Sequence, residues 1–155
     1  MRTDLPKNRR LARDIQILEQ TYGSQNIEWP PSGSWIFIKR GFSVASTKYR
    51  LSVSETPLLM FVPEWYGERR GQTAGIEEFY VDPKLKIERD GRFVEIPHTF
   101  LQLDRRGGVV NRLQWRYACV HIDWDPTRHT IIDSLTLLRL MFSDPWTFER
   151  MGASQ

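Results

Sequence analysis

The segment "ACVHIDWDPTRHTIIDSLTLLRLMFSDP", residues 118–145, holds the chain's only cysteine, Cys119, and a histidine two positions later, His121. The thiolate is the reactive form of cysteine. An unperturbed thiol ionises near about pH 8.5, so neighbouring positive charge or hydrogen-bond donors raise its reactive fraction at neutral pH. His121 is near enough to influence such a thiol, and Arg116 supplies positive charge just upstream. Each has a plainer reading: a lone cysteine serves as a small buried apolar residue, and a loop histidine satisfies backbone carbonyls. His98, in "EIPHTF", follows a proline and could meet Cys119 across the fold, giving a Cys-His pair suited to nucleophilic catalysis. Equally, it reads as a turn histidine that braces its loop, and His129 as a surface residue at a helix start.

Most familiar enzyme signatures are absent. Three histidines and one cysteine match no zinc-finger or H-E-x-x-H spacing, so no metal is expected. Neither G-x-x-x-x-G-K-[ST] nor G-x-G-x-x-G occurs, and "RRGG" is no more than a basic glycine loop. The G-x-S-x-G elbow of serine hydrolases is missing too. No cofactor is expected.

The elements that must position these residues follow from periodicity. Leu11, Ile15, Leu18 and Tyr22 form one helical stripe within residues 5–22, and Gly23 is a natural stop. The stretch "EWPPSGS" breaks regular structure. The runs "SWIFIKR", "KYRLSVS", "PLLMFVP" and "EEFYVDP" then read as a four-stranded antiparallel meander. The polar segment "PEWYGERRGQTAG" reads as a loop at one end of the sheet, with Trp65 and Tyr66 open to either core or interface. A hairpin is expected around Asp90 and Gly91, then a long irregular loop over residues 102–117 that leads to Cys119. Thr130 with Asp133 makes a capping-box start, and Ile131, Leu135, Leu138 and Phe142 form the stripe of a second helix ended by Asp144 and Pro145. The order is helix, meander, cysteine-bearing loop, helix, an α/β chain of the α+β kind.

A chain of 155 residues that is 40% hydrophobic, with six Trp, five Tyr and eight Phe, supports one compact core, so a single domain over residues 1–155 is expected. One cysteine cannot form an internal disulfide, and no export signal or apolar run of roughly 18 residues is evident, so a cytoplasmic protein without a membrane span is expected. The net charge is +3, and Arg2, Lys7, Arg9, Arg10 and Arg13 cluster at the start. That cluster reads as a solvated helix face or a site for an acidic protein partner, rather than a nucleic-acid footprint.

The segment from Cys119 to Pro145 resembles the ubiquitin-conjugating enzyme superfamily, in its divergent bacterial form: a cysteine, a Trp-x-Pro turn and a helix ending in Asp-Pro. Upstream, "LLMFVPEWYG" and "IEEFYVDPKL" look like the third strand, its proline-rich exit and the fourth strand, and "IPHTF" is similar to a proline-histidine element found before the cysteine. The resemblance implies a UBC-like fold in which Cys119 carries the C-terminus of a ubiquitin-like protein as a thioester and passes it to an amine. Asn111 stands eight residues before Cys119, the spacing of the family's oxyanion-organising asparagine, although the preceding His-Pro is missing. His121 and His98 compete with it for a supporting role. By the same resemblance the first helix, through Arg9, Arg10 and Arg13, docks an activating enzyme. Divergent bacterial members also sit with peptidases in conjugation systems, often antiviral. Two other readings stand beside this one: a catalytically silent binding module of the same fold, and a small thiol hydrolase using Cys119 and His98.

Overall fold

The computed structural model describes residues 5–101 and 114–152, with the side chains of 149–152 left aside. The first helix, α1 (Arg9–Tyr22), begins where Asn8 accepts a hydrogen bond from the Leu11 amide at 3.0 Å and ends at Gly23, whose amide bonds Glu19. Its stripe of Leu11, Ile15 and Leu18 is buried, as the periodicity requires.

Six strands form one antiparallel sheet: β1 (Ile27–Glu28), β2 (Trp35–Ile38), β3 (Leu58–Phe61), β4 (Glu78–Val81), β7 (Thr99–Leu101) and β8 (Arg116–Cys119), in the spatial order β1-β2-β3-β4-β8-β7. A separate hairpin, β5 (Ile87–Arg89) with β6 (Arg92–Val94), turns at Asp90 and Gly91, both in the left-handed region that such a turn needs. The helix α2 (Ile131–Ser143) starts at the Thr130–Asp133 capping box, and a short α3 (Pro145–Gly152) follows it. Asp144 ends one helix and its carboxylate accepts from Thr147 in the next. The hydrogen bond from Lys48 holds that carboxyl below its ordinary value. The molecule is therefore a mixed α/β protein built on an antiparallel sheet. Among the described residues no helix is long and apolar enough to cross a membrane.

Strand alternation gives the sheet two different faces. Ile36, Met60, Phe79 and Ala118 lie opposite one another and point into the main core with α1 and α2. On the other face, Phe37, Leu59, Tyr80, Tyr117 and Phe100 form one row, and Trp35, Phe61, Glu78 and Cys119 form the next. That second face carries its own aromatic cluster around Leu59, Tyr80, Trp115 and Tyr117, against which Cys119 packs.

Two sequence expectations need correction. Residues 48–54 are not a strand of the meander. Tyr49, Leu51 and Val53 pack on the core only partly buried, and the segment lies beside the β5–β6 hairpin, with Leu51 bridged to Ile87. Both edges of β3 are already occupied by β2 and β4, so no place in the sheet remains for it there. Nor does the irregular loop reach residue 117: Arg116 and Tyr117 belong to β8, which joins β4 to β7. The run "YACV" faces apolar groups on both sides, the pattern of a central strand rather than of alternation.

The loop over residues 63–77 is pinned to the body at three points. The Tyr66 hydroxyl donates to the buried Asp14 carboxylate, Asn8 donates to the Tyr66 carbonyl at 2.7 Å, and Gly71 and Trp124 exchange backbone hydrogen bonds of 2.8 and 3.2 Å. Tyr66 is thus core, fully buried, while Trp65 is partly exposed. Gly67 and Gly75 are required by close approach: a Cβ would lie 2.5 Å from the Arg10 side chain at the first and 2.8 Å from the Trp124 ring at the second.

Burial pushes the Asp14 carboxyl above its ordinary value of 3.8, against the opposing pull of Tyr66 and Arg10. The native state then holds this proton more tightly than the unfolded chain. The stabilisation is full below the unfolded value and is lost as pH rises through the raised native value. Asp14→Asn removes that slope, so in urea unfolding the stability of the wild type relative to the variant should fall as pH rises from the unfolded value through the raised native value. Parallel pH profiles for the two proteins would contradict this placement of Asp14.

Candidate active site

Cys119 ends β8, directly opposite Glu78 on β4. The period of two along a strand sends Val120 into the core and returns His121 to the cysteine's side. The result is a contact of 3.2 Å between Cys119 Sγ and His121 Nε2. The other ring nitrogen, Nδ1, lies 3.0 Å from Glu77 Oε2. An ionised carboxylate can only accept, so Nδ1 carries a proton, and Nε2 of a neutral ring is free to accept from the thiol.

Glu77 immediately precedes β4, and its side chain is 9% exposed against 52% for His121. The Thr73 amide donates to its second oxygen at 2.9 Å. Thr73 adopts a φ of 66°, a strained conformation for a branched residue, and the Trp65 indole holds its carbonyl at 3.1 Å. A pinned loop therefore fixes the carboxylate, the carboxylate fixes the ring, and the ring meets the sulfur. This is the order of parts in a nucleophile–base–orienter array.

The array opens into a cleft of about 400 Å³ whose walls include Phe61, Trp65, Glu78 and Tyr117. On its other side His121 borders a second hollow of about 550 Å³, lined by Asp123, Thr136, Leu137 and Leu140. Cys119 is thus reached from the first cleft, and His121 borders both hollows.

Comparison with protein-family models, with curated proteins and with solved structures finds no match for this chain. The chemistry must be read from the side chains themselves.

The other expected site residues are placed differently. His98 does not face the cysteine: its Nε2 lies 3.1 Å from the Pro145 carbonyl and its ring packs edge-on against Phe148, which belongs with the main core, so it braces α3. Its φ of 70° turns it out of the strand path just before β7. Arg116, opposite in parity to Cys119, bonds Thr99 and pairs with Glu95 at 3.2 Å, so its charge is spent elsewhere. Asn111 lies outside the described residues. Arg9 and Arg13 are exposed on α1, but Arg10 points inward, bonding the Pro126 carbonyl at 2.9 Å and pairing with Asp14 at 3.4 Å. His129 accepts from the Asp125 amide and stacks on Trp124.

Glu77 was not among the sequence candidates. Its only trace there is a pair of adjacent glutamates before an aromatic strand, and nothing local tells which of the two is buried.

Proposed function

We propose that this protein is an acyl-carrying cysteine enzyme of the ubiquitin-conjugating type. Cys119 accepts the C-terminal carboxyl of a ubiquitin-like protein from an activating enzyme, holds it as a thioester and passes it to an amine. The observation that carries this reading is the array Cys119–His121–Glu77, which gives the sulfur a base and the base an orienter. A UBC-like arrangement is supported by the order of parts: a first helix, an antiparallel sheet, the cysteine, the Trp124–Pro126 turn and α2. The position of Cys119 on a sheet strand departs from the loop expected by resemblance. Exposed Arg9 and Arg13 remain the proposed contact for the activating enzyme, and a peptidase of the same system remains a proposed partner.

A thiol hydrolase is the second reading. It is favoured by the same His–Glu pair, which could direct water at an acyl-cysteine, although with His121 and not His98 as the base. A silent binding module would have no need for a carboxylate held on both oxygens behind the ring.

The test is intact-protein mass spectrometry after incubation with a candidate ubiquitin-like protein, an activating enzyme and ATP. The expected result is a reductant-sensitive adduct on the wild type, none on Cys119→Ala, and a reductant-resistant ester on Cys119→Ser. No adduct in the presence of a charged activating enzyme would overturn the conjugating reading.

A further inference from the structure

From the base beside the sulfur we infer that the acceptors of the acyl group include oxygen nucleophiles, an alcohol O–H or water, and are not limited to amines. The inference rests on Cys119 being an acyl carrier. A neutral amine attacks a thioester with its lone pair and sheds its surplus proton afterwards; an ammonium can give up its proton to solvent beforehand, which an alcohol or water cannot do to a useful extent at neutral pH. A hydroxyl is a weak nucleophile until its proton is removed during attack, so it needs a base in place.

His121 Nε2 is that base by position. It is 3.2 Å from Sγ, so a group attacking the thioester carbonyl would lie within its reach, and half of the ring is open to an incoming acceptor. Glu77 keeps Nδ1 protonated, which leaves Nε2 as the accepting nitrogen, and stabilises the imidazolium that forms. An ammonium group has a different attraction to this cleft, through Glu64 and Glu78 on its walls, but it must lose a proton before it can attack.

The step balances without another reagent. The acceptor oxygen forms a bond to the thioester carbonyl carbon while its proton passes to His121 Nε2. The tetrahedral intermediate expels Sγ, breaking the C–S bond, and Nε2 returns the proton to the thiolate. The products are an ester, or a carboxylic acid when water attacks, and the free Cys119 thiol.

The experiment uses the full chain acetylated with p-nitrophenyl acetate, the acetyl group on Cys119 being verified by mass spectrometry against Cys119→Ala. The acetyl-enzyme is then offered N-acetylserinamide and N-acetyllysinamide together, and ester, amide and acetate are counted. Ester or acetate should form at least about 10²-fold faster than from a free cysteine thioester under the same conditions, as general-base assistance allows. The ratio of oxygen-acceptor products to amide should fall by about 10²-fold in His121→Gln and less in Glu77→Gln. Ester identifies the alcohol as acceptor and acetate identifies water; either one, when dependent on His121, supports the inference. Amide alone, or a ratio unchanged in both variants, overturns it while leaving Cys119 an acyl carrier. Failure to form any acetyl-enzyme overturns the acyl-carrier reading and the inference with it.

Discussion

His121→Gln should slow acylation of Cys119 by roughly 10² to 10⁴-fold, the usual contribution of a positioned general base, equivalent to about 3 to 5 kcal/mol of barrier. The readout is the burst of p-nitrophenolate released as p-nitrophenyl acetate acylates the protein. Glutamine keeps a polar group of similar reach in the half-exposed position of His121 but cannot take a proton from the sulfur. The loss should therefore appear in the maximal rate with little change in the concentration for half-saturation, and the urea midpoint should stay close to that of the wild type. Glu77→Gln should fall between the two, because an amide oxygen can still accept from Nδ1 but adds no charge to stabilise the imidazolium. Glu77→Ala should be slower than Glu77→Gln. That graded order separates orientation of the ring from a purely structural role for the residue. An acylation rate for His121→Gln within about threefold of the wild type would remove the base from the mechanism.

Trp124→Ala should destabilise the protein by about 3 to 5 kcal/mol in urea unfolding. Only 1% of Trp124 is exposed. Its ring lies 5.4 Å from Tyr66 and 5.6 Å from His129 by centroids, and the Arg10 guanidinium sits 6.0 Å above it. Gly75 is bare so that its backbone can press against the indole. Truncation leaves a cavity where α1, the 63–77 loop and the start of α2 meet, and such a loss is a large fraction of the roughly 5 to 15 kcal/mol that holds a domain together. Trp124→Phe keeps most of the ring and removes an indole N–H that has no hydrogen-bond partner among the described residues, so it should cost clearly less. A loss below about 1 kcal/mol for Trp124→Ala would contradict the packing described for the turn. The variant bears on the site as well, since the Trp124 backbone holds Gly71 and so helps to fix the loop that presents Glu77.

These two positions differ in how far they could be read from the chain. Trp124 announces itself through the Trp-x-Pro turn ahead of a capped helix. The α1 stripe, the Gly23 stop, the Asp90–Gly91 hairpin and the Thr130–Asp133 box are of the same kind: each is a pattern within a few residues, set by backbone sterics, local hydrogen bonds and helical period. That Cys119 and His121 stand two residues apart is also local, but their shared face follows only once β8 is known to be a strand.

What local pattern could not decide was which extended segments pair. Residues 48–54 alternate as well as any strand, yet the sheet forms without them, while the four residues of β8 enter it between β4 and β7 and carry the cysteine with them. Strand choice depends on competition for edges between distant segments, which short-range alternation does not record. The same limit explains Arg10, which reads as one more exposed arginine until Asp14, Pro126 and Trp124 gather around it. It explains His98 too, which tertiary packing turns toward α3. The sequence alone thus determined α1, α2 and the turns, and named His121 beside His98 as candidate partners for the thiol. Only the tertiary structure brought Glu77 across 44 positions to His121, because a buried carboxylate finds its partner through the packing of a whole loop and not through spacing along the chain.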